Sequence, residues 1–248
     1  TPNWPKIEGL HDFAGETYHT GLWPHEKVDF TGKRVAVIGT GSSAIQSIPE
    51  IAKEAAHLTV FQRTPNYTIP AHNHPLDPVE YAKTKARYRA LREEAKRQPN
   101  GLFYDFNPKG ALEVSEEERR AEFERRWAVG GTMFVGAYAD LMKDRDANET
   151  AAEFVRSKIR EIVEDPETAE TLSPDNVFGC KRLCVDTDYW ATYNRPDVEL
   201  VDVSGEPIER ILPGGVRVAG KVYEVDALVL ATGFDAMTGA MLNIDIRG

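Results

Sequence analysis

The sequence predicts an α/β protein: a three-layer domain on a parallel sheet, with a small β-meander and a helical insertion that splits the domain in two. Three observations carry that prediction. The runs Lys33-Arg34-Val35-Ala36-Val37-Ile38 and Ala227-Leu228-Val229-Leu230-Ala231 are compact and apolar, the form of strands buried on both faces. Between the first run and Leu58-Thr59-Val60-Phe61 lies a helix-spaced stretch, giving strand, helix and strand within about thirty residues. Residues 73–172 are charged and helical, and too long for a single crossover connection.

Taken in order, residues 1–31 are rich in Pro, Gly and His without a sustained period, and read as a linker. The domain proper is expected at 32–72 and again at 173–233. Its first helix, Ala44 to Ala56, carries Ile45, Ile48, Ile51, Ala52 and Ala55 at helical spacing, and Pro49 is expected to kink it or shift its start. In the insertion, Asp77-Pro78-Val79-Glu80 and Ser115-Glu116-Glu117-Glu118 are capping signals. Asn148 is expected to cap a helix through Ala151, Phe154, Val155 and Ile159, and Asp165-Pro166 to open a short last one. The aromatic residues of the insertion are assigned to its core. Beyond it, Val198-Glu199-Leu200-Val201 reads as a strand. Segments at Ile208 to Leu212, Val216 to Val218 and Val222 to Val225, separated by Gly-rich turns, read as the meander. Residues 234–248 are expected to begin a return to a further domain.

Composition narrows the function. A net charge of −10 over 248 residues argues against general nucleic-acid or acidic-membrane binding, so an anionic ligand needs local cations. No run of eighteen apolar residues offers a membrane span. The two cysteines, Cys180 and Cys184, lack zinc spacing and read as reduced thiols of a cytoplasmic protein; no metal site is expected. The opening TPNWPKIEGL, with neither Met nor an apolar leader, reads as part of a longer polypeptide.

Gly39-Thr40-Gly41-Ser42-Ser43-Ala44 is a G-x-G-x-x-G/A loop that follows a strand and opens a helix, the context that turns a weak glycine pattern into a dinucleotide site. This makes the domain Rossmann-type. Gly39 permits the tight turn, Gly41 the approach of a pyrophosphate, and Ala44 close helix–strand packing. The helix N-terminus offers free N–H groups to the phosphates. Where NAD and FAD sites usually carry an acid, this chain has Phe61-Gln62-Arg63-Thr64. Arg63 suits a 2′-phosphate, which a carboxylate would repel, so NADP(H) is favoured; the plainer reading is a solvated strand-end charge.

Phe13-x-Gly15-x-x-x-His19-x-x-x-Trp23-Pro24 resembles, at every fixed position, the fingerprint of type I Baeyer–Villiger monooxygenases, upstream of the glycine loop as in that family. Gly39 to Gln46, Phe61-Gln62-Arg63-Thr64-Pro65, Asp144 to Asn148, Lys181-Arg182 and Ala231 to Ala236 are similar to the same family. The related flavin-containing monooxygenases, which oxygenate nitrogen and sulfur, end this fingerprint in an aromatic and a basic residue, so Trp23-Pro24 favours the ketone-oxidising branch.

The resemblance implies that NADPH reduces FAD, that the reduced flavin reacts with O2, and that a ketone becomes an ester or lactone. It implies that Arg182 stabilises the anionic oxidant and the tetrahedral adduct. It implies that Lys181 helps hold the 2′-phosphate, and that Thr64, Gln46 and Ala231-Thr232-Gly233 contact nucleotide. An arginine suits the catalytic role because it stays cationic. His19 reads either as a hydrogen-bonded structural residue or as a switch between nucleotide and flavin domains, and Trp23-Pro24 as an anchor. The sequence has one glycine loop, so FAD binding is expected outside it, and the resemblance implies the same of the acid that pairs with the arginine. The chain alone is expected to bind NADP(H) without oxidising ketones. The competing readings are a stand-alone NADP-binding sensor and a fragment of an N/S-oxygenating enzyme.

Overall fold

A computed structural model describes residues 1–98, 101–103, 105–235, 239–242 and 244–247. Ala236, in the stretch similar to the monooxygenases, lies outside the described residues, as do 99, 100 and 104 of the expected insertion and 237, 238, 243 and 248 of the last segment.

The strands are β1 (Glu16–His19), β2 (Arg34–Ile38), β3 (His57–Gln62), β4 (Thr68–Pro70), β5 (Cys184–Asp186), β6 (Val198–Asp202), β7 (Ile208–Leu212), β8 (Gly215–Val218), β9 (Lys221–Glu224) and β10 (Ala227–Leu230). The helices are α1 (Ser42–Glu54), α2 (Pro78–Ala86), α3 (Tyr88–Ala95), α4 (Glu116–Val129), α5 (Arg145–Ile162), α6 (Pro166–Leu172), α7 (Tyr189–Thr192) and α8 (Gly239–Leu242). Two compact units result. The first comprises 1–68, 156–175 and 188–248, the second 69–155 and 176–187.

The first unit holds a five-stranded sheet, ordered β1-β10-β2-β3-β6, with every pair parallel. β10 and, after Arg34, β2 are apolar and buried because both faces are covered. On one face Ala36, Ile38, Phe61, Leu228 and Leu230 pack with Ile211, Val216 and Val218 of the antiparallel meander β7-β8-β9. α1 packs on β2 and β3 with Ala44, Ile45 and Ile48 fully buried. α1 runs unbroken through Pro49. Pro49 is the eighth residue of the helix and is buried, so the surrounding packing offsets the lost backbone donor.

Residues 1–31 do more than link. β1 pairs with β10 in the register Glu16↔Ala227 to His19↔Leu230, which makes it the edge strand of the sheet. Glu16 N donates to Asp226 O at 3.3 Å. A Cβ at Gly15 would lie 2.3 Å from that same carbonyl, so the strand enters the sheet at a point where only glycine fits. Asp226 also takes the Arg34 backbone N–H at 2.9 Å and its guanidinium at 2.8 and 3.1 Å. Those bonds draw its carboxyl down to about 2. The pairing is therefore complete above the ordinary carboxylate range and lost only as pH falls toward that value.

The second boundary also shifts. Residues 156–172, expected within the insertion, belong to the first unit. Asn194 ties the end of α5 down, donating to Ile162 O at 2.8 Å and accepting from Glu164 N at 2.9 Å. Gln62 donates to Thr171 O at 2.7 Å beyond it. Asp165 caps α6 as the sequence predicts, accepting from Thr168 N at 2.8 Å.

The second unit has an aromatic core. Phe123 stacks on Phe134 at 5.5 Å and meets Phe154 at 5.3 Å and Tyr138 edge-on at 5.7 Å. Asp77 and Ser115 cap α2 and α4, accepting from Val79 N and Glu118 N. Asn148 is not the cap of α5: the helix starts three residues earlier, and Asp144 accepts from Asp146 N and Ala147 N at 2.9 Å. Asn148 is instead a buried bracket. It donates to Leu141 O at 2.7 Å and Phe178 O at 2.8 Å, and accepts from Phe178 N at 2.9 Å. Asn148→Ala strands three buried backbone groups, so it is expected to cost about 3 kcal/mol in denaturant unfolding. A loss below about 1 kcal/mol would mean water replaces the amide.

Among the described residues no helix is long and apolar enough to cross a membrane. Cys180 is exposed and Cys184 buried, and the two are not joined in a disulfide.

Candidate nucleotide site

Because the strands are parallel, their carboxyl ends lie on one edge of the sheet. His19, Leu230, Ile38 and Phe61 are register partners in one row along that edge, about 14 Å at the usual interstrand spacing. From β2 the chain adds β3 and β6 on one side, then places β10 on the other. The switch point thus falls between β2 and β10, where open parallel sheets bind ligands.

The glycine loop leaves β2 at that point. Gly39 has φ +104, and a Cβ there would come within 2.7 Å of Ala231 O, so the turn packs directly on the chain leaving β10. Its N–H donates to Phe61 O at 3.0 Å. Gly41 differs: its φ is −80 and a Cβ would meet nothing within 4 Å, so its glycine leaves open space rather than relieving a clash. α1 starts after Gly41 with no side-chain cap, whereas Asp77, Ser115 and Asp165 cap other helices. Its first amides at Ser42, Ser43 and Ala44 therefore face outward without an internal acceptor. An open approach, uncapped amides and a helix dipole suit the pyrophosphate of a dinucleotide.

The predicted residues take distinct positions. Arg63 follows β3, beside the loop; it is exposed and has no ion-pair partner among the described residues. Thr40 is 4% exposed, and its hydroxyl donates to Thr64 O at 3.0 Å, so the side chain turns inward and its backbone alone faces the loop. Gln46 is exposed, one turn into α1 after Ser42. Ala231 N donates to Ile38 O at 2.9 Å and Thr232 Oγ1 to Asn3 O at 2.5 Å, placing Ala231-Thr232-Gly233 against the glycine loop.

The fingerprint residues form the docking of β1. Phe13 packs on the meander core, His19 is 2% exposed, and Trp23 lies 5.5 Å from Tyr18 and 6.2 Å from Phe30; Pro24 is half-buried beside it. His19 Nδ1 accepts from Gly21 N at 3.0 Å, which puts the proton of the neutral ring on Nε2, near Asn3 O and Thr232 Oγ1 at 3.4 Å. His19 is thus a buried, hydrogen-bonded histidine at the carboxyl-end edge of the sheet. Trp4, which the sequence reading passed over, lies 5.3 Å from its ring.

Lys181 and Arg182 belong to the second unit and are both exposed, without ion-pair partners among the described residues. Lys181 sits at a bend rather than in a strand, so strand alternation does not place this pair; Leu183 and Cys184, both buried, anchor it.

No protein-family model matches the chain. The curated relatives are monooxygenases. A Baeyer–Villiger monooxygenase of Pseudooceanicola batsensis is 40% identical over 249 residues, 99% of this chain and 45% of its own length. A phenazine N-monooxygenase of Lysobacter antibioticus is 38% identical over 98% of this chain and 45% of its own. The chain spans about half the length of the curated relatives it matches. Among solved structures, an oxidized steroid monooxygenase bound to NADP is 51% identical with a TM-score of 0.92, over 97% of this chain and 46% of that one. OTEMO in complex with FAD and NADP is 40% identical with a TM-score of 0.96, over 100% and 49%.

Proposed function

We propose that this chain, a homologue of the Baeyer–Villiger monooxygenases along its whole length, is the NADP(H)-binding portion of a flavin-dependent enzyme that converts ketones to esters or lactones with O2 and NADPH. The observation that carries the nucleotide assignment is an exposed Arg63, without an ion-pair partner among the described residues, beside a glycine loop open at Gly41. NADPH would supply the hydride, and FAD, bound by the rest of the protein, the oxygen chemistry. Within this chain the amides from Gly39 to Ala44 hold the pyrophosphate. Arg63 and Thr64 hold the 2′-phosphate. Gln46 and Ala231-Thr232-Gly233 line the nucleotide. Arg182 presents a fixed positive charge to the oxygen that becomes anionic as the ketone reacts. Phe13, Gly15, His19, Trp23 and Pro24 fix the edge strand and so the approach of the flavin portion. The chain alone binds NADP(H) and does not oxygenate.

Titration with NADPH and NADH is the direct test. Arg63→Ala is expected to weaken NADPH about 10- to 100-fold, the range of a charge-assisted contact, with little change in NADH. Equal affinities for the two nucleotides in the parent protein would defeat the assignment. For the reaction, the complete gene product should hold flavin and turn a cyclic ketone into a lactone. The phenazine relative gives N-oxygenation a specific claim as the second reading. An N-oxide from an aromatic amine without any lactone from ketones would establish it, and a flavin-free protein would point to a sensor.

A further inference from the structure

We infer that Asn66 is a positioning residue for the nucleotide's 2′-phosphate, holding the Arg63 loop against the glycine loop through Thr40. The inference rests on the NADP(H) reading above. Two hydrogen bonds cross between the loops in opposite senses. Thr40 Oγ1 donates to Thr64 O at 3.0 Å, and Asn66 Nδ2 donates to Thr40 O at 2.6 Å. The partner of Asn66 is a carbonyl, which only accepts, so the amide nitrogen must face it. The two residues bracing this loop thus flank Arg63 on its C-terminal side, and Thr40 is 4% exposed, shielded from competing water. Arg63 itself makes no ion pair among the described residues, so the placement of its guanidinium depends on the backbone that carries it.

The two phosphate grips are therefore separable. The glycine loop is rooted independently, by Gly39 N donating to Phe61 O at 3.0 Å and by its packing on Ala231 O. Its pyrophosphate contacts are common to NADPH and NADH. The 2′-phosphate occurs in NADPH alone, and a bidentate guanidinium contact demands tight positioning. Loss of the brace leaves the first grip and loosens the second. It lowers discrimination rather than general affinity.

The experiment is calorimetric titration of NADP+ and NAD+ into the full-length protein carrying Asn66→Ala, Thr40→Val, Thr40→Ser or Arg63→Ala. Asn66→Ala and Thr40→Val, which keeps shape and removes the donor, are expected to weaken NADP+ about tenfold with NAD+ within about twofold. Thr40→Ser, which keeps the hydroxyl, restores the parent ratio. If Arg63→Ala collapses the ratio while Asn66→Ala and Thr40→Val leave it unchanged, the inference is overturned and the NADP(H) reading stands. Equal weakening of both nucleotides by Asn66→Ala and Thr40→Val makes the brace merely structural and overturns it too. If Arg63→Ala leaves the ratio intact, both the reading and the inference fall.

Discussion

Arg182→Ala in the full-length protein is expected to cut ester formation about 10²- to 10³-fold, the cost of removing one group that stabilises a developing oxyanion. NADPH should still bind and still be oxidised, because the nucleotide contacts assigned to Arg63, Thr64 and the glycine loop lie elsewhere in the chain. Folding should be unaffected: Arg182 is exposed and has no ion-pair partner among the described residues, so its truncation strands no buried charge. Arg182→Lys keeps a charge but loses the planar fork and risks deprotonation in a desolvated site, so an intermediate rate is expected. Lys181→Ala separates the neighbours: it should raise the KM for NADPH with kcat nearly unchanged, since it removes binding common to ground and transition states. Product analysis by gas chromatography alongside NADPH consumption reads both effects. Ester formation within about tenfold of the parent after Arg182→Ala would remove this residue from the chemistry.

How much of this was legible depended on whether the signal was local. β2, α1, β3 and β10 declare themselves because strands buried on both faces read as short, mostly apolar runs, and the glycine loop sits where they require it. β1 is different. Glu-Thr-Tyr-His has no apolar alternation, and the partner that makes it a strand lies some two hundred residues on, at Ala227–Leu230. Its spacing was nonetheless visible as a fingerprint, which the structure explains mechanically. Gly15 passes under Asp226 O, four residues pair with β10, and the 3-10 turn at Thr20–Leu22 then presents Trp23 to Tyr18 and Phe30. Asn148 misled because a good capping residue type stood inside a helix already capped by Asp144, and its real partners at Leu141 and Phe178 are set by tertiary packing. Asn66 carried no local signal beyond following Pro65 in a loop. The expectation for Arg63 rests instead on a local contrast, a cation where NAD and FAD sites usually carry an acid.

The two glycines of the loop are expected to fail in opposite ways when replaced by alanine. Gly39→Ala puts a Cβ 2.7 Å from Ala231 O and 3.2 Å from its carbonyl carbon, at a φ of +104 that side chains rarely adopt. Both contacts are backbone, so no side chain can swing aside; β10 or the loop must move. Positive-φ strain and the clash together should cost about 2–4 kcal/mol and break the turn that roots the loop, so stability and nucleotide affinity fall together. Gly41→Ala meets nothing within 4 Å at a φ of −80, an ordinary conformation for alanine. Its stability should stay within about 0.5 kcal/mol of the parent, since no strain or cavity is introduced. Its methyl group would nevertheless occupy the space through which a pyrophosphate reaches the amides of α1, so NADP(H) affinity should drop about a hundredfold. Denaturation and titration on the same two variants separate the cases. A Gly41→Ala protein that binds NADPH like the parent would show that no phosphate approaches this loop, and the site would have to be sought elsewhere on the sheet edge.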